Sequence, residues 1–286
     1  MRNLTLRYLQ FVIIFLFTSC ANNKKAIDDS IEFTRQSQIL IKNKNYQEAL
    51  IAVNKAIELD NKNYAAYNNL GYIKLELNYP EQEVYEAFKK SYDLNENYLV
   101  ALASLTNFQC YTKNYNEAVR FGKEYLEKVD KIPETANERV QVLGIIGESY
   151  NYLNSYDTAI IYLTKALQLD STRAGSYKER GVAFRNIGEK HKALNDFNKA
   201  IEIDSLYSQA YNSRAICYDN LNMSDKALAD YNKAISLEPN SSVYFLNRAI
   251  LRLNLGYKAE ACSDIYKSDS LGNNEAKNYF KYCMEK

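Results

Sequence analysis

The chain has 286 residues, in which 36 Lys and Arg balance 35 Asp and Glu. This balance excludes a strong global field that would favour nucleic acid or an anionic surface as the partner. Only 9 Gly and 3 Pro are present, too few for the many turns of a β-rich fold, so the composition favours an all-helical protein.

The N-terminal segment has the pattern of an export signal. Two arginines precede the apolar run FVIIFLF at residues 11–17, which is far shorter than the ~20 apolar residues that span a bilayer. The next three residues are TSC. Together with Phe17 they form FTSC, which resembles the lipobox of bacterial lipoproteins, although Leu is commonest at the position of Phe17. The resemblance implies a lipoprotein signal peptide at residues 1–19 and lipid attachment at Cys20. The alternative is an ordinary signal peptide cleaved nearby.

A short tether is predicted between this anchor and the first helix, at residues 20–29. Fully extended, such a tether reaches ~30 Å, so partners would lie at or near the membrane. The residues after Cys20, ANNKK, lack the acidic cluster associated with surface export in some lineages. The expected location is therefore the bacterial cell envelope, with the lipid anchor in the outer membrane and the protein facing the periplasm.

From residue 30 onward the sequence follows one period. Ala159, Ala193, Ala227 and Ala261 lie 34 residues apart. The first three lie within the similar segments YDTAIIYLTKALQLDS, HKALNDFNKAIEIDS and SDKALADYNKAISLEP. A period of 34 is typical of the tetratricopeptide repeat (TPR), a helix–turn–helix unit. The chain resembles this family, because aromatic residues recur at position 4, small residues at position 8 and Ala at position 20.

The resemblance implies an all-α protein, a right-handed superhelix (α-solenoid) of about seven repeats. The predicted repeats are 30–63, 64–98, 99–132, 140–173, 174–207, 208–241 and 242–273, followed by a capping helix at 274–286. Because each hairpin buries its apolar face only against its neighbours, one continuous body is expected rather than two globular domains. Kinks in the superhelix are expected at two places, an extra residue near Pro80 and an insert at 131–139.

Repeats five to seven carry Arg at position 7 and Asp at position 23. In an antiparallel hairpin that turns near position 15, these two positions lie opposite each other, because both are eight residues from the turn. The predicted structural ion pairs are Arg180 with Asp196, Arg214 with Asp230, and Arg248 with Asp264. An Arg row alone would suggest an anion-binding ladder, but the matched Asp row favours pairing within each hairpin.

Four cysteines follow Cys20. Cys262 and Cys283 are equally distant from the turn LGNN, so two antiparallel helices would place them level. Disulfides form in exported proteins, and the two residues are therefore either bridged or small members of the core. Cys110 and Cys217 are expected to be buried free thiols.

The sequence contains no pattern typical of catalysis or of a cofactor. The single histidine, His191, stands between two lysines at an expected exposed helix start. It lacks the companions of a metal site or of a Ser–His arrangement, and no Gly-rich phosphate loop is present. The chain is therefore predicted to be no enzyme and to need no cofactor.

In TPR proteins, positions 2, 5, 9 and 12 of each first helix line a concave groove that binds extended segments or helices. The resemblance therefore implies a groove with an apolar floor and a polar rim, as peptide recognition requires. Its candidate residues are Tyr72, Asn107, Glu148, Lys178, Val182, Arg185, Asn212, Ile216, Asp219, Leu246, Ile250 and Leu253. In the last repeat, the cap or a second copy of the chain could cover this face instead. The carboxylate clamp of some chaperone-binding TPRs is not reproduced.

These resemblances imply a membrane-anchored scaffold or adaptor that binds a peptide or helix of one or more envelope proteins. A homo-oligomer is compatible with the pattern, and nucleic acid is not expected as a partner. The alternative is a glycan- or nutrient-binding envelope lipoprotein. Such proteins tend to be larger and to expose Trp for sugar stacking, whereas this chain has no Trp.

Overall fold

The computed structural model describes residues 24–129 and 136–284, and every regular element in these ranges is helical. The chain divides into two compact units, residues 1–135 and 136–286. The seven predicted repeats are distributed over these units, three in the first and four in the second, and the insert at 131–139 spans the boundary. Residues 136–139 of that insert are helical and form the first turn of the second unit.

The first unit contains three antiparallel helix hairpins. Its helices, in hairpin pairs, are α1 (24–42) with α2 (Tyr46–Leu59), α3 (Tyr64–Glu76) with α4 (Glu81–Leu94), and α5 (Leu99–Tyr111) with α6 (Tyr115–Val129). Successive hairpins pack through α2 against α3 and through α4 against α5. This order, in which each helix contacts the next, is that of a stacked helical repeat.

The second unit contains four hairpins and a cap. Its helices, in hairpin pairs, are α7 (Ala136–Tyr152) with α8 (Tyr156–Leu169), α9 (Ala174–Asn186) with α10 (Lys190–Ile203), α11 (Ser208–Asp219) with α12 (Ser224–Leu237), and α13 (Ser242–Asn254) with α14 (Lys258–Ser270). The first helices of neighbouring repeats also contact one another, α7 with α9, α9 with α11, and α11 with α13. Equivalent positions of these helices therefore form rows.

The cap differs from the single helix predicted over 274–286. It is a 3-10 helix, Asn274–Tyr279, followed by the one-turn α15, Lys281–Met284. The side chain of Asn273 accepts a hydrogen bond from the backbone N–H of Glu275 at 3.0 Å, which favours a tight turn at this point. A continuous α-helix is therefore not formed after the last hairpin.

Helix α1 extends further toward the N-terminus than predicted. Residues 24–29, KKAIDD, were expected to belong to the tether but are helical. They contain no Gly or Pro that would end the helix, and Lys24 and Asp28 have opposite charges one turn apart. Because a helix rises only about 1.5 Å per residue, the reach estimated for the tether is too long. The predicted signal peptide and Cys20 lie outside the described residues.

Short carboxylate turns connect some successive repeats. Asp60, Asp170 and Asp204 each accept a hydrogen bond, 2.9 Å long, from the backbone N–H two residues later. Asp170 also accepts the hydroxyl of Thr172 at 2.6 Å and Nε of Arg173 at 2.7 Å. These hydrogen bonds, led by those from Thr172, lower the pKa of Asp170 to about 2. The carboxylate form therefore holds the turn at neutral pH.

Glycine at repeat position 8 permits the closest helix contacts inside three hairpins. A Cβ on Gly181 would lie 2.7 Å from the ring of Phe197, and one on Gly147 would lie 2.4 Å from Leu163. Gly71 makes the equivalent contact in the first unit. Both Phe197 and Leu163 are fully buried. Phe197 and Leu163 are both at position 24 of their repeats. Each side chain thus occupies the space that the missing Cβ of the glycine leaves open.

A buried polar network joins the first two repeats, where the repeat pattern predicts only a small residue at position 8. Asn63 Nδ2 donates to the hydroxyls of Ser30 at 2.8 Å and Thr34 at 2.9 Å. Asn69 Nδ2 donates to the Ser37 hydroxyl at 2.9 Å. Because these buried groups satisfy one another, the network makes the contact between the two repeats specific.

The three Arg–Asp pairs are present, each as two parallel hydrogen bonds between guanidinium and carboxylate. The Nε and Nη2 contacts of Arg180 to Asp196 both measure 2.8 Å. The equivalent distances are 2.7 and 2.8 Å for Arg214–Asp230, and 2.8 and 2.6 Å for Arg248–Asp264. All three Asp side chains are at most 9% exposed.

Each paired arginine also reaches the second helix of the preceding repeat. The Nη1 groups of Arg180, Arg214 and Arg248 donate to Thr164, Asn198 and Asn232 at 3.2, 2.7 and 2.6 Å. The guanidinium groups therefore join three helices rather than two, because one edge binds within the hairpin and the other binds outside it. This second contact was not expected from the sequence.

Candidate functional site

The first helices of the second unit carry two parallel rows of side chains, which are half-buried except for Asn151, which is buried. Position 9 contributes Glu148, Val182, Ile216 and Ile250, and position 12 contributes Asn151, Arg185, Asp219 and Leu253. Residues three apart lie on the same helix face, and contacts among α7, α9, α11 and α13 align the repeats. We call this surface, over α7, α9 and α11, the groove face of the second unit.

The α7 end of the groove face is charged. An open cavity of about 420 Å³ is lined there by Glu148, Lys178, Glu179 and Tyr207, among others. Lys178 forms an ion pair with Glu179, and Asn151 Nδ2 donates to the carboxylate of Glu179 at 3.1 Å. Lys178 and Glu179 therefore bind each other, while Asn151 positions the pair.

Burial and neighbouring charges shift the titration of these groups. Burial raises the pKa of Glu148, and repulsion from Glu179 raises it further. Burial lowers the pKa of Lys178, but its attraction to Glu179 and Glu148 outweighs that effect and the net direction is upward. Burial also raises the pKa of Tyr207. At neutral pH the lysine is therefore cationic and the tyrosine is neutral.

The centre of the groove face carries two opposite charges without an ion-pair partner. Burial lowers the pKa of Arg185, and burial alone raises the pKa of Asp219. Across residues 24–129 and 136–284, neither side chain forms an ion pair with another. Val182 and Ile216, one helical turn away, supply the apolar surface beside them.

Tyr231 of α12 lies beneath this central region and is only 2% exposed. Burial, and then the negative charge of Asp219, raise its pKa, while the charge of Arg185 opposes this shift. Tyr231 is thus close enough to experience both charges. Tyr231 was not among the predicted site residues, because it lies on a second helix, whereas the predicted groove positions all lie on first helices.

The cap covers the apolar end of the candidate groove. Leu246 is 5% exposed and packs in one cluster with Ala276. Ile250 and Leu253 pack against the same cluster, together with Phe280 of the cap. Leu246 is therefore a core residue of the last repeat rather than part of a free floor. Ile250 and Leu253 stay half-buried and, with Tyr279 and Tyr282 of the cap, line an open cavity of about 440 Å³.

A disulfide holds the cap in place. Cys262 of α14 and Cys283 of α15 are bonded, with their Cα atoms 5.6 Å apart. The bridge closes the cap onto the last hairpin and restricts the unfolded chain at this end. Of the two remaining described cysteines, Cys217 is buried and Cys110 is half-buried, and neither is disulfide-bonded.

The other candidate residues have different surroundings. Asn212 accepts a hydrogen bond from Asn247 Nδ2 at 2.9 Å, so its amide links two neighbouring first helices. Tyr72 and Asn107 belong to the first unit, where both are exposed on α3 and α5. Burial, and then repulsion from Glu76, raise the pKa of Tyr72. These two residues therefore do not belong to the groove face of the second unit.

Two further properties concern the described residues alone. Within 24–129 and 136–284, no group of His, Cys, Asp and Glu side chains could hold a metal ion. In the same part of the chain, no helix has both the length and the apolar character needed to cross a bilayer.

The consecutive hairpins with rows of groove positions define an α-helical repeat protein. The tetratricopeptide repeat family matches residues 33–63, 140–173, 174–205 and 208–241. The chain is a tetratricopeptide repeat protein, and proteins of this class generally serve as non-catalytic scaffolds that bind other proteins. No curated protein matches the sequence.

Several solved structures share the fold. A tetratricopeptide repeat protein from Parabacteroides merdae is 19% identical, with 90% of this chain and 100% of that chain covered and a TM-score of 0.70. The pilF protein of Pseudomonas aeruginosa is 17% identical over 81% of this chain and 99% of its own, with a TM-score of 0.67. YrrB, a TPR protein with an unusual peptide-binding site, is 21% identical over 68% and 95%, with a TM-score of 0.51. At these identities the likeness concerns the fold alone.

Proposed function

We propose that this protein is a lipid-anchored scaffold of the bacterial cell envelope that binds an extended segment of a partner protein on the groove face of the second unit. The observation that carries this proposal is the uncovered centre of that face. There, half-buried apolar and charged side chains from α9 and α11 lie side by side. Apolar surface next to unpaired polar groups is typical of a peptide site.

The two ends of the groove face differ, which favours binding at its centre. At the α7 end Lys178 and Glu179 already bind each other, and beyond α11 the cap covers Leu246. Between them, Val182 and Ile216 can contact apolar side chains of a partner. An extended segment fits this arrangement because it crosses neighbouring first helices and meets each in turn. YrrB, whose fold is similar, is itself a protein with a peptide-binding site.

The groove proposal predicts that the double substitution Val182→Asp and Ile216→Asp strongly weakens peptide binding. Random peptides displayed on phage would be selected on the full chain, and the selected peptides titrated against the variant. We expect a loss of at least about tenfold in affinity, because two carboxylates would be buried against apolar side chains. The control is Ile161→Asp, on the second helix of its hairpin, where the side chain is 54% exposed.

Circular dichroism would establish that both variants fold. Unchanged affinity in the folded Val182→Asp and Ile216→Asp variant would contradict the groove proposal, as would a wild-type selection that enriches no peptide. An equal loss of affinity in the Ile161→Asp control would indicate that peptides bind to the second helices, and it would also contradict the groove proposal.

The anchor proposal is supported by the sequence motif that ends at Cys20. Replacing Cys20 with Ala is expected to move the protein from the membrane pellet into the soluble fraction and to prevent labelling with palmitate. Acyl chains contribute ~0.8 kcal/mol per buried methylene, so their loss removes stable membrane attachment. A Cys20→Ala protein that still pellets with membranes after a high-salt wash would contradict lipid anchoring.

A further inference from the structure

We propose that the groove face of the second unit selects segments that carry one acidic and one basic side chain, two to four residues apart. The acidic side chain pairs with Arg185 and the basic side chain pairs with Asp219. This inference deepens the proposed function and rests on it, because it gives the chemistry of the partner segment.

Arg185 differs from Arg180, the other arginine of its helix. Arg180 is bound by both oxygens of Asp196 at 2.8 Å and by Thr164 at 3.2 Å. Arg185 is also half-buried, yet no carboxylate of the described residues pairs with it. A partly desolvated guanidinium without a partner is unfavourable unless a ligand supplies the anion. A carboxylate would satisfy it with two parallel hydrogen bonds.

Asp219 occupies the same repeat position as Arg185, 34 residues later. Its carboxylate is half-buried at the end of α11. No Lys or Arg of the described residues lies within ion-pair distance of it. The chain places paired charges elsewhere in the same repeats, at Arg214 and Asp230 for example. Arg185 and Asp219 each lack an ion-pair partner among the described residues, and this distinguishes them from the structural pairs.

The distance between α9 and α11 determines the spacing of the two charges on the partner segment. Helices α9 and α11 contact each other, and the axes of packed helices are about 8–10 Å apart. An extended chain advances about 3.3 Å per residue, so two to four residues span this distance. The charges of a free amino acid are much closer together. Two charged side chains on one extended segment match the spacing better, with an apolar residue between them facing Val182 or Ile216.

The test is a selection of phage-displayed random peptides on the wild-type full chain and on two charge-reversed variants. The wild type is expected to enrich peptides with an acidic and a basic residue two to four positions apart. With Arg185→Glu, the preference for the acidic residue should change to a basic one. With Asp219→Lys, the preference for the basic residue should change to an acidic one. A wild-type peptide should bind each variant at least about tenfold more weakly.

A second pair of variants separates recognition from folding. Arg185→Gln and Asp219→Asn should weaken the wild-type peptide while leaving the unfolding temperature unchanged or higher, since each removes an unpaired desolvated charge. Arg180→Gln, which breaks a structural pair, should lower the unfolding temperature. A similar fall for Arg185→Gln would show a structural role and overturn the inference.

The outcomes also separate this inference from the proposed function. Peptides that lack the charge pair, keep their affinity in Arg185→Glu and lose it in the Val182→Asp and Ile216→Asp variant would overturn the inference and leave the groove proposal intact. Failure of the wild type to enrich any peptide would overturn both. Displacement of the selected peptide by millimolar free glycine or lysine would overturn the inference in favour of a small zwitterion.

Discussion

Replacing Asp264 with Ala is expected to destabilise the protein by about 3–5 kcal/mol, the loss that follows when one partner of a buried ion pair is removed. The Asp264 side chain is only 4% exposed and contacts two arginines. Arg248 binds it through two nitrogens, and Nη1 of Arg252 approaches Oδ2 at 2.6 Å. The substitution leaves both guanidinium groups without their carboxylate. Urea unfolding of the full chain measures the change.

The control for this prediction is Asp93→Ala in the first unit. Asp93 pairs with Lys89, but its side chain is 49% exposed, and such a pair contributes at most about 1 kcal/mol. A loss for Asp264→Ala no larger than that of Asp93→Ala would contradict the structural role of the buried pairs. The double variant Arg248→Met with Asp264→Leu should be more stable than Asp264→Ala, because it leaves fewer charges unpaired.

Replacing Gly181 with Val is expected to destabilise the second unit by about 3 kcal/mol through overpacking. A Cβ at this position would already lie 2.7 Å from the ring of Phe197, and the two further methyl groups of Val have no space. Phe197 is fully buried and cannot move without disturbing the contact with the next repeat. Thermal or urea unfolding of the variant measures the loss.

The matched control is Gly144→Val, in the first helix of the preceding repeat. A Cβ on Gly144 would meet only the hydroxyl of Ser176, at 3.5 Å, which is an ordinary contact. We therefore expect Gly144→Val to change stability by less than about 1 kcal/mol, since propensity differences in helices are of this size. Equal losses for the two variants would show that helix propensity, and not the close approach to Phe197, determines the result.

Features that depend on the repeat period could be predicted from the sequence. The Arg180–Asp196 pairing follows from two positions equally distant from one turn, and the same argument places Cys262 level with Cys283. The close contact at Gly181 follows from the need for a small residue where two helices approach. Each of these predictions uses only the geometry of one antiparallel hairpin, which is local in the chain.

Features that depend on the surroundings of a repeat could not be predicted in this way. The helical conformation of residues 24–29 is compatible with the absence of a helix-breaking residue there, and the repeat boundary does not predict it. The sequence allowed Leu246 to be either a groove residue or a core residue, and the packing of the cap decided between them. Nor does position 12 reveal whether Arg185 has a partner, because that depends on side chains of neighbouring helices.

The central claim is that a partner segment binds across α9 and α11 on the groove face. It is tested most directly by attaching a photo-reactive group to a peptide selected on the wild-type chain and mapping the crosslinked residues by mass spectrometry. The account predicts crosslinks to the first helices, within 178–186 and 212–219, and their loss in the Val182→Asp and Ile216→Asp variant. Crosslinks confined to the second helices, α8, α10 and α12, would contradict it.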